Sequence, residues 1–161
     1  MVSWTERPAV VASMLNPALI AAIVAEASRG HRKESGNDIP WMLSFVVTPM
    51  VLHRGTRESL PASTSTHFAA WASRNPVLRA SFPQRAIGLV EHVREGIRFG
   101  LAHDVFHLDG DRIVAPARRK PRGFEIPVEL GEIIRKANLA GRWMAKSDSP
   151  SAIFAILGVA P

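Results

Sequence analysis

Cysteine is absent from the 161 residues. That excludes disulfides, thiolate metal ligands and cysteine nucleophiles, and is compatible with a reducing cytosol. Long apolar runs are scarce too. The longest, Trp41 to Leu52, contains Pro49 and is far shorter than the roughly 20 residues that cross a bilayer. Met1 to Arg7 carries a glutamate and no basic stretch leading into an apolar one. Ala18 to Ala27 is apolar but short, and the Asn16-Pro17 pair before it reads as a helix start rather than a signal. These absences predict a cytoplasmic protein with no membrane segment.

Repeats, low-complexity tracts and the short motifs of common enzymes are also missing. No GxSxG, SxxK, Walker loop or Rossmann glycine pattern occurs. The acidic residues are scattered, and none pairs at a spacing that makes a carboxylate dyad. The expectation is a non-enzymatic protein with no cofactor.

What is present is an ordinary globular composition, 47% apolar and 21% charged, which argues against disorder. A chain of this length buries roughly 70% of the surface its unfolded form exposes, so one domain over 1–161 is expected. Two halves, a helical 1–75 and a second at 76–161, are the alternative division. Twenty lysines and arginines against 14 acidic residues give a net charge of +6, with an isoelectric point near 11.0. That balance suits nucleic acid, an acidic protein surface or an anionic membrane, and equally a solvated basic surface.

Periodicity predicts mainly helices. Asn16-Pro17 caps a helix carrying Leu19, Ile20, Ile23, Val24 and Ala27, which Gly30 ends, leaving a polar loop to Ile39. Pro40 to His53 reads as a buried helix that Pro49 kinks or ends. A short turn or helix begins at Thr56. Ser63 or Thr64 caps the next helix, with Phe68, Trp71 and Ala72 inward and Asn75-Pro76 closing it.

From Pro83 the positions Ile87, Val90, Val93, Ile97 and Leu101 form the apolar face of a long helix. Gly88, Gly96 and Gly100 on its flanks point to close packing. Val105 to Ala115, two β-prone runs around Asp109-Gly110-Asp111, form a tight hairpin. Pro127 starts a further amphipathic helix through Met144, and Ser149-Pro150 starts the last one, which Gly158 terminates. The fold class expected is therefore mainly α with one β-hairpin, winged-helix-like over 83–146. Trp4, Trp41, Trp71 and Trp143 fall on apolar faces and read as core.

In a winged-helix arrangement the hairpin is the wing and the helix before it the recognition helix. Its arginines Arg85, Arg94 and Arg98, with the basic loop Arg118, Arg119, Lys120 and Arg122, are then the candidate contacts for a partner or for DNA. Asp109 and Asp111 at the wing tip would repel phosphate, which favours a protein partner. His103-Asp104-Val105-Phe106-His107 imitates the H-E-x-x-H zinc pattern. It crosses a helix end into a strand, however, which destroys the shared face that two ligands need.

The segments MLNPALIAAIVAEA, IPWMLSFVVTPMVLHRGTRESLP, REGIRFGLAHDVFHLDGDRI and LAGRWMAKSDSPSAIFAILGVAP resemble the middle-component family of bacterial three-component ABC systems, from about Met14 to Pro161. The resemblance implies a conflict or defence operon in which a small adaptor couples an SMC-like ABC ATPase to an effector-bearing subunit. It carries over no catalytic residue. It leaves open direct DNA binding and a homodimer, and it makes a winged-helix-like end plausible by analogy with accessory subunits of chromosome-maintenance ATPases.

Overall fold

The computed structural model describes residues 15–117, 123, 125–147 and 149–160, with Glu6, Pro8, Ala9 and Ala12 before them. Among the described residues the long elements are helices: α1 (Pro17–Ser35), α2 (Ser44–Leu52), α3 (Arg54–Ser59), α4 (Phe68–Arg74), α5 (Pro76–Ala102), α6 (Val128–Met144) and α7 (Pro150–Leu157). Three short strands, β1 (Ile39–Pro40), β2 (His107–Asp109) and β3 (Arg112–Val114), form one antiparallel sheet in the order β1-β3-β2. The architecture is mainly α with a hairpin, as the sequence predicts.

The capping chemistry works as read at both ends of the chain. The Asn16 side chain accepts from the Ala18 amide at 2.8 Å with Pro17 at the first helical position. Ser149 accepts from the Ala152 amide at 3.2 Å ahead of Pro150. Gly158 closes α7 with a left-handed φ of 68°.

Helix α1 is the spine. Ile20, Ile23, Val24 and Ala27 are almost wholly buried, and α5, α6 and α2 all pack on it. Gly30 does not end this helix; the left-handed residue that does is Gly36. Gly30 instead lets α6 approach. A Cβ there would run into the Asn138 carbonyl, and one at Gly141 into the Ala27 carbonyl. The polar residues expected in a loop from Gly30 are thus mostly the last turns of α1. Glu34 receives Arg142 Nε at 3.1 Å and Lys146 Nζ at 3.3 Å. Partners rise together along both helices, so α1 and α6 run parallel.

The run after Pro40 divides into a 3-10 turn at Trp41–Leu43 and α2. Pro49 lies inside α2, which continues to Leu52, because tight burial of Val46, Val47, Met50 and Val51 outweighs one missing amide. Helix α4 is capped at His67, not at Ser63 or Thr64. Pro76 both follows α4 and opens α5, which begins seven residues before Pro83 and carries that proline inside it.

The hairpin forms where expected, with Asp109 opposite Arg112 and Leu108 opposite Ile113. Its turn is the pair Gly110-Asp111, and Gly110 takes a φ of 58°. The sequence gives no sign of β1, which pairs Ile39 with Ile113. Ser28 Oγ donates to the Ile113 carbonyl at 2.5 Å, and Arg112 Nη1 donates to the Asp38 carbonyl at 2.5 Å. The first bond fastens the sheet to α1, and the second ties β3 to the residue before β1. The helix–hairpin–helix order expected over 83–146 is present, although order alone does not make a winged helix.

Phe68, Trp71 and Trp143 form an aromatic cluster with centroids 4.5 to 6.0 Å apart. The two indole N–H groups donate to backbone carbonyls, Trp71 to Ser59 at 2.8 Å and Trp143 to Thr66 at 2.6 Å, as buried tryptophans require. Trp4 lies outside the described residues.

Candidate functional site

Helix α5 has two working faces. One is buried and built largely from small residues: Phe82, Ala86, Val93, Gly96 and Gly100. Gly96 lies against Ile20 of α1 and Gly100 under the Phe106 ring, so two of the three flanking glycines serve close approach. Gly88 faces open space.

The second face carries Ile87, Val90 and Ile97, positions the sequence assigns to the core. Ile87 is 71% exposed. These three line the floor of an open groove of about 550 Å³. One wall is Trp41 and Phe45, whose rings meet edge to face at 5.9 Å. Phe154 and Val159, from α7 and the residues after it, also line the groove.

Trp41 is held by the sheet. Its amide donates to the Asp111 carbonyl at 2.9 Å, which fixes the start of the 3-10 turn beside the hairpin and leaves the indole 42% exposed. Its assignment to the core is therefore corrected. A large aromatic and a β-branched residue standing open in one groove is the kind of contiguous apolar surface that marks an interaction site.

The arginines separate by environment. Arg94 and Arg98, one turn apart on α5, both reach the groove and both are exposed. Arg94 Nη1 donates to Glu91 Oε1 at 2.5 Å in a pair that is more than half exposed on each side. Arg98 makes no ion pair among the described residues.

Arg85 turns inward. Its guanidinium donates to Ser81 Oγ at 2.6 Å, to Thr56 Oγ1 at 3.1 Å and to the Leu78 carbonyl at 3.3 Å. It also lies 5.6 Å over the Phe82 ring. Burial lowers its pKa from the usual arginine value. The structure thus brings Arg94 and Arg98 together and leaves Arg85 tying α5 to α3. Arg118, Arg119, Lys120 and Arg122 lie outside the described residues.

His103 and His107 stand on different elements. His103 caps the C-terminus of α5 and stacks on Phe99 at 4.2 Å, whereas His107 opens the exposed strand β2. Among the described residues, no three His, Asp or Glu side chains gather closely enough to hold a metal ion.

A second hollow of about 520 Å³ lies between residues 64–69, α6 and α7, with Lys146 among its lining residues. It is lined by hydroxyls, His67 and the edges of the aromatic cluster.

One buried ion site escaped the sequence reading. Arg57 is 1% exposed, and its Nη1 donates to the Val51 carbonyl at 2.7 Å. Its Nη2 donates to Glu129 Oε1 at 3.2 Å, and Nε lies 3.8 Å from Glu132 Oε2. It clamps the end of α2 to the start of α6.

Fold and groove together define a small, mainly α-helical protein whose most developed surface is a cation-flanked apolar trough, a feature suited to holding a partner. The chain belongs to the family of ABC-three component (ABC-3C) system Middle Component 3, whose family model matches residues 4–161. It is thus an accessory component, and the family's name implies the other ABC-3C components as its partners. No curated protein and no solved structure matches it. No described helix is long and apolar enough to cross a membrane.

Proposed function

We propose that the chain is a non-enzymatic, cytoplasmic adaptor that couples the ABC ATPase of a bacterial three-component system to an effector-bearing subunit in defence. The observation that carries this reading is the groove, where Trp41 and Ile87 stand 42% and 71% exposed within one trough of about 550 Å³. Family membership supports it, because a middle component has two others to meet. In this reading 1–161 works as one unit, which is supported by α1 of the first half lying against α5 and α6 of the second. Co-expression with the ATPase and the effector-bearing subunit, followed by gel filtration, should return a stable complex with no turnover by this chain alone. Failure to co-elute with either component would remove the adaptor reading.

A second reading is a winged-helix-like nucleic-acid-binding domain. It is supported by the net charge of +6 and by the sheet order, in which the strand after α1 closes on the hairpin. Its contacts would be Arg94, Arg98 and the loop Arg118, Arg119, Lys120 and Arg122. Binding to duplex DNA should then weaken steeply with salt, and neutralising the loop should flatten that slope. DNA binding that is absent or independent of salt disposes of it.

A further inference from the structure

We propose that the groove along α5 receives an amphipathic helix of another component of the three-component system, a helix with carboxylates on the flank that meets Arg94 and Arg98. This deepens the adaptor reading and rests on it.

The shape is the first argument. From Ala86 to Arg98 the floor runs about 18 Å, a little over three helical turns. Along it Ile87 stands exposed and Val90 and Ile97 half-buried, and Trp41, Phe45 and the buried Phe154 complete an apolar lining. An apolar trough of that length matches the apolar stripe of a helix, whose anchors fall at every third or fourth residue.

Charge is the second argument. The charged side chains lining the groove are Arg94 and Arg98. Arg98 has no ion pair among the described residues. Among the described residues Arg94 pairs with Glu91, 54% and 68% exposed, and exposed pairs of that kind are worth little. Both guanidiniums can therefore donate to carboxylates at the edge of an incoming helix.

The same charges disfavour a second copy of this chain. A two-fold contact brings the same patch to itself, so another α5 would present its own two arginines, on a protein already at +6. A nucleic-acid backbone fits worse, since phosphates would leave Trp41, Ile87 and Phe45 unsatisfied.

The test uses the full chain with the ABC ATPase and the effector-bearing subunit, each purified separately and titrated by calorimetry. Two variants probe the groove, Ile87→Asp and the charge reversal Arg94→Glu with Arg98→Glu. All three positions are exposed, and circular dichroism checks that both variants fold. Ile87→Asp should weaken binding roughly tenfold or more at every salt concentration. The charge reversal should weaken it roughly tenfold at low salt, with the gap narrowing as salt rises. Hydrogen exchange should protect residues 86–98 together with one acidic helix of the partner.

A complex formed equally well by both variants overturns the groove proposal and leaves the adaptor reading standing. No complex with any component overturns both. Self-association lost in Ile87→Asp assigns the groove to a second copy and overturns the proposal. So does binding of a duplex DNA probe that the charge reversal abolishes and Ile87→Asp retains. Protection of a basic or extended partner segment defeats the stated chemistry.

Discussion

Gly141 of α6 rests on the Ala27 carbonyl of α1 so closely that a Cβ has no room between them. Gly30 stands in the same relation to the Asn138 carbonyl, while Gly88 of α5 has nothing within 4 Å of its would-be Cβ. Alanine is favoured over glycine inside a helix by about 1 kcal/mol, so the three sites should respond with opposite signs. Gly88→Ala should stabilise by about 0.5–1 kcal/mol. Gly30→Ala and Gly141→Ala must push two backbones apart and should lose about 1–3 kcal/mol or more despite the better propensity. Urea denaturation of the three variants checks this. Equal effects at all three would mean that α1 and α6 do not touch as described.

Arg57 should be intolerant of truncation while its exposed partner is not. With the guanidinium gone, the Val51 carbonyl loses its 2.7 Å donor and a buried cavity opens at the junction of α2, α3 and α6. Arg57→Ala should cost about 3–5 kcal/mol. Glu129, 64% exposed across the same pair, should cost under about 1 kcal/mol as Glu129→Gln. Chemical denaturation midpoints for both variants, with the slope held constant, decide the matter. A mild Arg57→Ala would show that water replaces the guanidinium without loss.

The helices, their caps and the hairpin were legible because their signals are local. Asn16, Ser149 and the Asp109-Gly110-Asp111 turn act on residues within a few positions of themselves. What was hidden depends on partners distant in the chain. A glycine that stops a helix and a glycine that admits another helix look alike, and only Asn138 tells that Gly30 is the second kind. β1 is two residues long and exists because Ile113 pairs with Ile39. In the candidate site, a helical wheel puts Arg85 about 180° from Arg94 and Arg98 only about 40° from it, but which of the two sides faces inward is told only by distant partners, Thr56 among them. Trp41 was misassigned because the run after Pro40 is apolar all round, so nothing marks which apolar side stays open.

Gly110 should carry the hairpin. It is the first of the two turn residues, and its φ of 58° belongs to a region where other L-residues are strained. A positive φ there, with Asp111 outside that region, matches the primed turn that takes glycine first. Since nothing lies within 4 Å of a Cβ at this site, the penalty for Gly110→Val is backbone strain alone, about 1–2 kcal/mol. The loss should appear as faster hydrogen exchange in 107–114, with α1 and α6 unchanged. Unaltered exchange in the hairpin would refute the assignment.

Acid should destabilise the protein in two stages. His31 and His53 both have pKa values lowered from the ordinary 6.5. Burial is the main cause for each. Arg112 adds to it at His31, against the opposing pull of the Asn37 carbonyl and Asp38. Arg85 and Arg57 add to it at His53, where Nδ1 also accepts the Thr56 amide that caps α3. The unfolded chain therefore takes up these protons first, and between the unfolded and folded values stability falls as pH falls. The first loss begins as pH drops below about 6.5 and levels off once the native imidazoles protonate as well. The second belongs to Glu34 and Glu58, whose pKa values are lowered from 4.5, chiefly by Arg142 and Arg54 respectively; their contribution is present above that value and is lost as pH falls through the native ones. Melting temperatures recorded from pH 8 to pH 3 should show both stages, the upper one amounting to about a few degrees. Combining His31→Gln with His53→Asn, which keeps a capping acceptor, should erase the upper stage and leave the lower. A profile in the double variant that still declines below about pH 6.5 would place the titration elsewhere.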